Sequence, residues 1–265
     1  MALSAVRRIP VFRPHAMDPD EEIEIDISPF LILYKSGRVH RFSTTSRKSA
    51  GTDAITGVTS KDVIIDATNG LAARLFLPKG VSASQKLPVL VYIHGGGFVS
   101  ESAFSLKYTG YVNALAAAAH AVVVSVEYRL ALEHPIPAAY DDAWAALCWT
   151  ARCCVSGGSE PWLADHGDST RLFVVGSSSG GNVTHNVVMR AGKRGFHGGA
   201  QIEGMLLLHP VFMGKIPVPS EATHPTYLER SESIWRFLCA GKYELDHPFS
   251  NPLVMPPEEW AALVC

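Results

Sequence analysis

Leu172-Phe-Val-Val-Gly176-Ser177-Ser178-Ser179-Gly180-Gly181 decides the fold of this chain. A run of large apolar residues ends at a glycine, three serines follow, and two glycines open a segment with helical periodicity. Leu172–Val175 reads as a buried strand, and Gly181–Lys193 reads as the helix directly after it. Between them the pattern G-x-S-x-G puts Ser178 at the middle of a tight strand-to-helix turn. The flanking glycines carry no Cβ, so strand and helix can close on a strained turn. Such a turn lifts the Ser178 hydroxyl above the sheet, where the helix N-terminus favours developing negative charge. A plain glycine–serine turn has the same letters, and the strand–turn–helix context separates the two readings.

Upstream, Leu87–Ile93 is an unbroken apolar run bounded by Pro and Gly and reads as a central buried strand. His94-Gly95-Gly96-Gly97-Phe98 follows it directly. A glycine loop after such a strand supplies backbone N–H groups to an oxyanion hole. The glycines let two N–H groups point at one spot with no side chain in the way. A nucleotide-binding reading fails, because no GK[ST] follows and no GxGxxG opens a helix.

The remaining segments alternate in the same manner. Asp62–Asp66 and Ala72–Leu77 read as strands joined by a turn at Asn69-Gly70. Lys107–His120 reads as a helix, Ala121–Val126 as a strand, and Met205–Leu208 as a further strand. Pro137 takes the favoured first position of a helix over Pro137–Ala151. This order predicts an α/β fold with a mostly parallel sheet and helices on both faces. Beyond Phe212 the pattern changes. Lys215–His224 is rich in Pro and Ser, Ser233–Ala240 reads as a short amphipathic helix, and Pro257–Leu263 as a helical turn. This region reads as a cap laid over one face.

The bulk numbers suit one large domain: 265 residues, 47% hydrophobic, 18% charged, mean hydropathy +0.12. A net charge of −2 supplies no basic field for nucleic acid and no polybasic signal for a membrane. The longest apolar stretch, Ala114 to Val126, is interrupted by His120 and Ser125 and is too short to span a bilayer. The five cysteines, Cys153 and Cys154 among them, show no metal-ligand spacing, so neither a metal nor a cofactor is expected. A cytoplasmic setting fits that usage. Residues 1–16 hold Arg7, Arg8 and Arg13 and no acid. They read as a disordered extension ahead of a single domain over 17–265, with a targeting role as the other reading.

The joint pattern resembles the plant carboxylesterase family within the hormone-sensitive-lipase-like α/β hydrolases, which also holds gibberellin receptors and 2-hydroxyisoflavanone dehydratases. The matching stretches include Tyr34-Lys-Ser-Gly-Arg-Val-His-Arg-Phe42, Gly57-Val-Thr-Ser-Lys-Asp62, His94–Phe98 and Glu127-Tyr-Arg-Leu130. Glu133-His-Pro135, Pro137-Ala-Ala-Tyr-Asp-Asp142, Glu160-Pro-Trp-Leu163 and Ser178-Ser-Gly-Gly-Asn182 complete them. The resemblance implies Ser178 as nucleophile and the N–H groups of Gly96, Gly97 and Ser179 as the oxyanion hole. It implies a cap built from 17–55 and 212–250. The lack of an amphipathic lid rich in large apolar residues, with the modest net charge, points to small or medium uncharged esters as substrates.

Three departures stand out. The family carries Asp where this chain has Ser177, and Pro where it has Leu132. The family's acid and base lie on two further strand–helix units, so the resemblance implies a C-terminally truncated member that lacks the last two strands and turns over poorly.

Other residues are poor candidates for the missing roles. Asp141 and Asp142 sit in a first helical turn, where acids usually partner the helix dipole. His134 lies in a Pro-rich turn, His185 one turn into the helix after Ser178, and Asp165 and Asp168 at the far end of the nucleophile strand. Asp246 and His247 are neighbours in sequence and poorly placed to relay a proton to one another. His209 follows Met205–Leu208 on the active-site edge. A serine esterase is the leading function. A non-catalytic small-molecule receptor is the alternative, which Gly97 argues against, since those receptors carry serine there. A dehydratase and an inactive truncated member complete the set.

Overall fold

The computed structural model describes residues 21–42, 46–155, 157–195, 199–261 and 263. The extension at 1–16 lies outside the described residues. The chain opens with a small antiparallel sheet, β1 (Ile23–Ile27), β2 (Leu31–Tyr34) and β3 (Val39–Arg41). It turns between β2 and β3 through Gly37, whose φ of +85° suits a residue without Cβ. The alternation there is too short and too mixed for a sequence reading to find it.

The main sheet has six strands in the order β4-β5-β7-β6-β8-β9. In chain order these are β4 (Thr59–Asp66), β5 (Leu71–Leu77), β6 (Leu87–Ile93), β7 (Val122–Glu127), β8 (Gly167–Ser177) and β9 (Ile202–Leu208). β4, β5 and β7 pair antiparallel, whereas β7, β6, β8 and β9 run parallel. The expected turn at Asn69-Gly70 joins β4 to β5, with the Leu71 N–H donating to the Asn69 side chain at 3.0 Å. The strands carrying the glycine loop and the serine turn, β6 and β8, are direct neighbours in the centre. Their C-terminal ends therefore meet, which is what a shared site at a sheet edge requires.

Helix α1 (Leu106–Ala119) packs on one face of the sheet. Its N-cap Ser105 accepts from the Tyr108 N–H, and left-handed His120 closes its last turn. Helix α2 (Ala138–Cys153) and helix α4 (Ser179–Arg194) cover the other face, with the short α3 (Pro161–His166) between them in sequence. Pro137 is the N-cap of α2 rather than its first helical residue. α4 begins at Ser179, ahead of the expected Gly181.

α5 (Tyr227–Leu238) is longer at its start than the periodicity predicts, because Leu228, Glu229 and Arg230 of its first turn are exposed and only Ser231, Trp235 and Leu238 are buried. Left-handed Ala240 and Gly241 follow it, so it stops short of Ala240. α6 is the brief Pro257–Trp260. The largest core cluster joins β1–β3, α2, α4 and α5 through Leu31, Phe98, Tyr140, Val187 and Trp235, so the small sheet and α5 share one core with the main sheet.

β9 is the outer strand of the described sheet. Leu206 on it is 50% exposed and borders an apolar groove with Leu90, Leu115, Phe173, Val175 and Met205.

Candidate active site

Ser178 stands between the last residue of β8 and the first of α4, with φ 54° and ψ −120°. A non-glycine residue in that region stores about 1–3 kcal/mol, held only where neighbours over-determine it. The neighbours are specific. The Ser178 N–H donates to the Leu208 carbonyl at 2.8 Å, and its own carbonyl accepts from Gly181, Asn182 and Val211. A Cβ on Gly176 would lie 2.1 Å from the Gly180 carbonyl oxygen, and one on Gly180 would lie 2.2 Å from that of Ile93. Both glycines of G-x-S-x-G are thus required by close approach of strand and helix.

The glycine loop is built against this turn. A Cβ on Gly95 would sit 3.1 Å from the Ser178 Cβ, so loop and serine abut. The Gly95 N–H is spent on the Tyr108 hydroxyl at 3.0 Å. Gly96 and Gly97 take φ values of +127° and +63°, and among the described residues neither donates its N–H to a protein acceptor. Ser179 is fully buried at the start of α4, where the first N–H groups have no intrahelical acceptor. Gly96 and Gly97 thus leave their N–H groups without a protein acceptor among the described residues, and Ser179 opens α4 directly after Ser178.

Surrounding contacts brace the loop. His94 is fully buried, stacks on Tyr128 at 4.3 Å, and donates from Nδ1 to the Gly95 carbonyl at 2.7 Å. Burial pushes its imidazole down to about 4, so it is neutral near pH 7. Glu127, whose carboxyl burial pushes upward, accepts from Ser102 Oγ and the Ala103 N–H and ties down the segment that follows. Asn182 donates to the Val211 and Phe249 carbonyls and accepts from the Tyr140 hydroxyl, pinning the region after β9 to α4. None of these braces is legible from motif spacing alone.

Ser177 hydrogen-bonds the Tyr92 hydroxyl at 3.2 Å. Leu132 has φ +83°, which a proline ring, locked near −65°, could not adopt.

The candidates for acid and base are placed elsewhere. Asp142 is buried and accepts three donors of Arg129, and Asp141 pairs with Arg190. Asp165 is exposed on α3, and Asp168 binds Thr170 and Arg171 at the opposite end of β8. His134 is exposed. His185 is buried against Phe212 and Trp260. Asp246 accepts from the Lys215 N–H and Asn251, while His247 accepts from the Phe249 N–H. His209 is exposed just beyond the residue that pairs with Ser178. Among the described residues no histidine or carboxylate hydrogen-bonds the Ser178 side chain. Nor does any group of three or more His, Cys, Asp or Glu there stand together as metal ligands, and no helix is long and apolar enough to cross a membrane.

Comparison with known proteins agrees with this geometry. Residues 90–264 match the alpha/beta hydrolase fold family, and residues 40–132 match the Carboxylesterase family. Tuliposide A-converting enzyme 1, chloroplastic, of Tulipa gesneriana is 43% identical over 97% of this chain and 64% of its own length. The 2-hydroxyisoflavanone dehydratase of Glycyrrhiza echinata is 39% identical over 92% of this chain and 76% of its own. The esterase LipW of Mycobacterium marinum superposes with a TM-score of 0.61 at 29% identity, covering 77% of this chain and 60% of that one. The chain thus spans 64% of the length of the tulip relative.

Proposed function

This chain belongs to the alpha/beta hydrolase fold family, and we propose that within it the chain is the nucleophile-bearing part of a carboxylic-ester hydrolase acting through an acyl-serine on Ser178. One observation carries the reading: Ser178 is held at positive φ on the strand-to-helix turn, directly against the glycine loop. In the proposed reaction the Ser178 oxygen attacks the ester carbonyl. The Gly96, Gly97 and Ser179 N–H groups then take up the negative charge, and the alcohol leaves. Water attack on the acyl-serine returns the free enzyme.

The β1–β3 sheet and residues 212–250 are proposed to cap this site and to select small or medium uncharged esters. Dehydration on the same scaffold is the second reading, favoured by the likeness to the 2-hydroxyisoflavanone dehydratase.

Among the described residues no base hydrogen-bonds Ser178, so none there takes the proton from its hydroxyl. Turnover by the 265-residue chain should then rest on the oxyanion hole and binding, a residual of roughly 10³–10⁴-fold over water. A fluorophosphonate probe tests the assignment. Slow labelling that vanishes in Ser178→Ala and persists in Ser177→Ala and Ser179→Ala is expected. Labelling that survives Ser178→Ala overturns it.

For the compartment we propose the cytoplasm. The tulip relative's name points to the chloroplast, and a fluorescent fusion carrying residues 1–265 discriminates between the two.

A further inference from the structure

We infer that Arg41 is a positioning residue for the oxyanion loop, latching the β2–β3 hairpin onto it so that the hairpin helps set where Gly96 and Gly97 point. The inference rests on the assignment of that loop in the proposed function. The loop is costly to hold. Gly96, Gly97, Phe98 and Glu101 all have positive φ within six residues, and two of the four carry a Cβ that disfavours it. Its own hydrogen bonds, from the Val99 and Ser100 N–H groups to the Gly96 carbonyl, close a turn without fixing that turn's orientation over Ser178.

The hairpin supplies two outside contacts. Arg41 Nε donates to the Val99 carbonyl at 3.0 Å, and the Phe30 ring covers Gly97, where a Cβ would lie 3.1 Å from Cδ2. Both come from one rigid unit. Leu31, next to Phe30, pairs directly with Arg41 across the hairpin, the Phe42 N–H donates to the Phe30 carbonyl, and Leu31 is fully buried. A shift of the hairpin therefore moves an apolar contact at Gly97 and a polar contact at Val99 together.

The other end of Arg41 forks onto Glu133, at 2.8 and 3.1 Å. That pair is 28% and 57% exposed, so it is worth little by itself and mainly aims the guanidinium. The bond to the Val99 carbonyl carries the weight, because it and the Ala131 N–H, which donates to the Phe98 carbonyl at 2.8 Å, are two hydrogen bonds that tie the loop's main chain to segments outside it.

Hydrogen exchange on the 265-residue chain tests this. In Arg41→Ala the amides of Val99 and Ser100, which donate to the Gly96 carbonyl, should exchange about tenfold or more faster, the factor expected from losing a charged hydrogen bond. Those of β6 and β8 should keep their protection. Arg41→Lys should restore most of the effect, since it still offers a donor to Val99. Glu133→Gln should stay within about twofold of wild type, as for an exposed pair. Unchanged exchange at Val99 and Ser100 in Arg41→Ala overturns the latch, and so does a uniform rise through β6 and β8, which is general destabilisation. Fluorophosphonate labelling separates the two readings. If Ser178 labels in the wild type, Arg41→Ala should slow it along with the exchange change. A wild type that never labels sinks the catalytic assignment and leaves the exchange result to decide the latch.

Discussion

The Tyr108 hydroxyl accepts the Gly95 N–H at 3.0 Å, reaching from the first turn of α1 into the loop that ends β6. That bond accounts for one glycine amide and leaves the next two for a ligand. Tyr108→Phe strands a buried N–H, so a loss of about 1–3 kcal/mol in chemical denaturation is expected. Labelling of Ser178 should slow at the same time, because the loop loses an anchor one residue from the proposed oxyanion donors. A variant with unchanged stability and unchanged labelling would count against the bond.

Gly180 faces the Ile93 and His94 carbonyl oxygens, where a Cβ would stand 2.2 and 2.5 Å away. Gly180→Ala is expected to cost more than about 4 kcal/mol, or to abolish folding, since backbone rather than a flexible side chain must yield. Gly204→Ala is the control. Its Cβ would meet only the Phe173 ring at 3.4 Å, and a change within about 1 kcal/mol is expected. Circular dichroism melts of the two variants side by side check the contrast.

His94 carries a pH dependence whose sign follows from burial. Its folded pKa lies near 4 against an ordinary 6.5, so the neutral form stabilises the fold fully above about pH 6.5. As pH falls from there towards 4, the unfolded chain takes up a proton that the folded chain refuses. Stability is lost across that window, on the order of 3 kcal/mol. Burial shifts His185 and His247 in the same direction. Urea midpoints at pH 7, 5.5 and 4.5 should fall in that order, and a flat series contradicts the assignment.

β9 presents an unpaired edge among the described residues, with half-exposed Leu206 beside an apolar groove. Such an edge pairs readily with other chains. The wild type is expected to self-associate, and Leu206→Lys to shift light scattering towards monomer without loss of far-UV signal. A wild type that stays monomeric at high concentration would show that the edge is harmless.

The parts legible in the sequence are those written in local pattern. The runs Leu87–Ile93 and Leu172–Val175 announce buried strands, and the glycine loop and G-x-S-x-G follow each within a few residues. Chain order alone brings them together, because parallel strands with helical crossovers leave both loops at the same sheet edge. Gly176 and Gly180 could be expected as small for the same local reason.

What only the tertiary structure decided depends on pairs far apart in sequence. Tyr108 on Gly95, Arg41 on Val99, Asn182 on Phe249 and Glu127 on Ala103 join segments whose separation carries no periodic signal. The small β1–β3 sheet belongs here too, since its short strands are defined by what they pack on rather than by alternation. The histidines make the same point. The residue type of His185, His209 and His247 does not say which lies near Ser178, and in the fold none of them hydrogen-bonds it, while His94 is a buried brace of the glycine loop. The reason is physical: the nature of a side chain is local, while its distance to a nucleophile is set by packing.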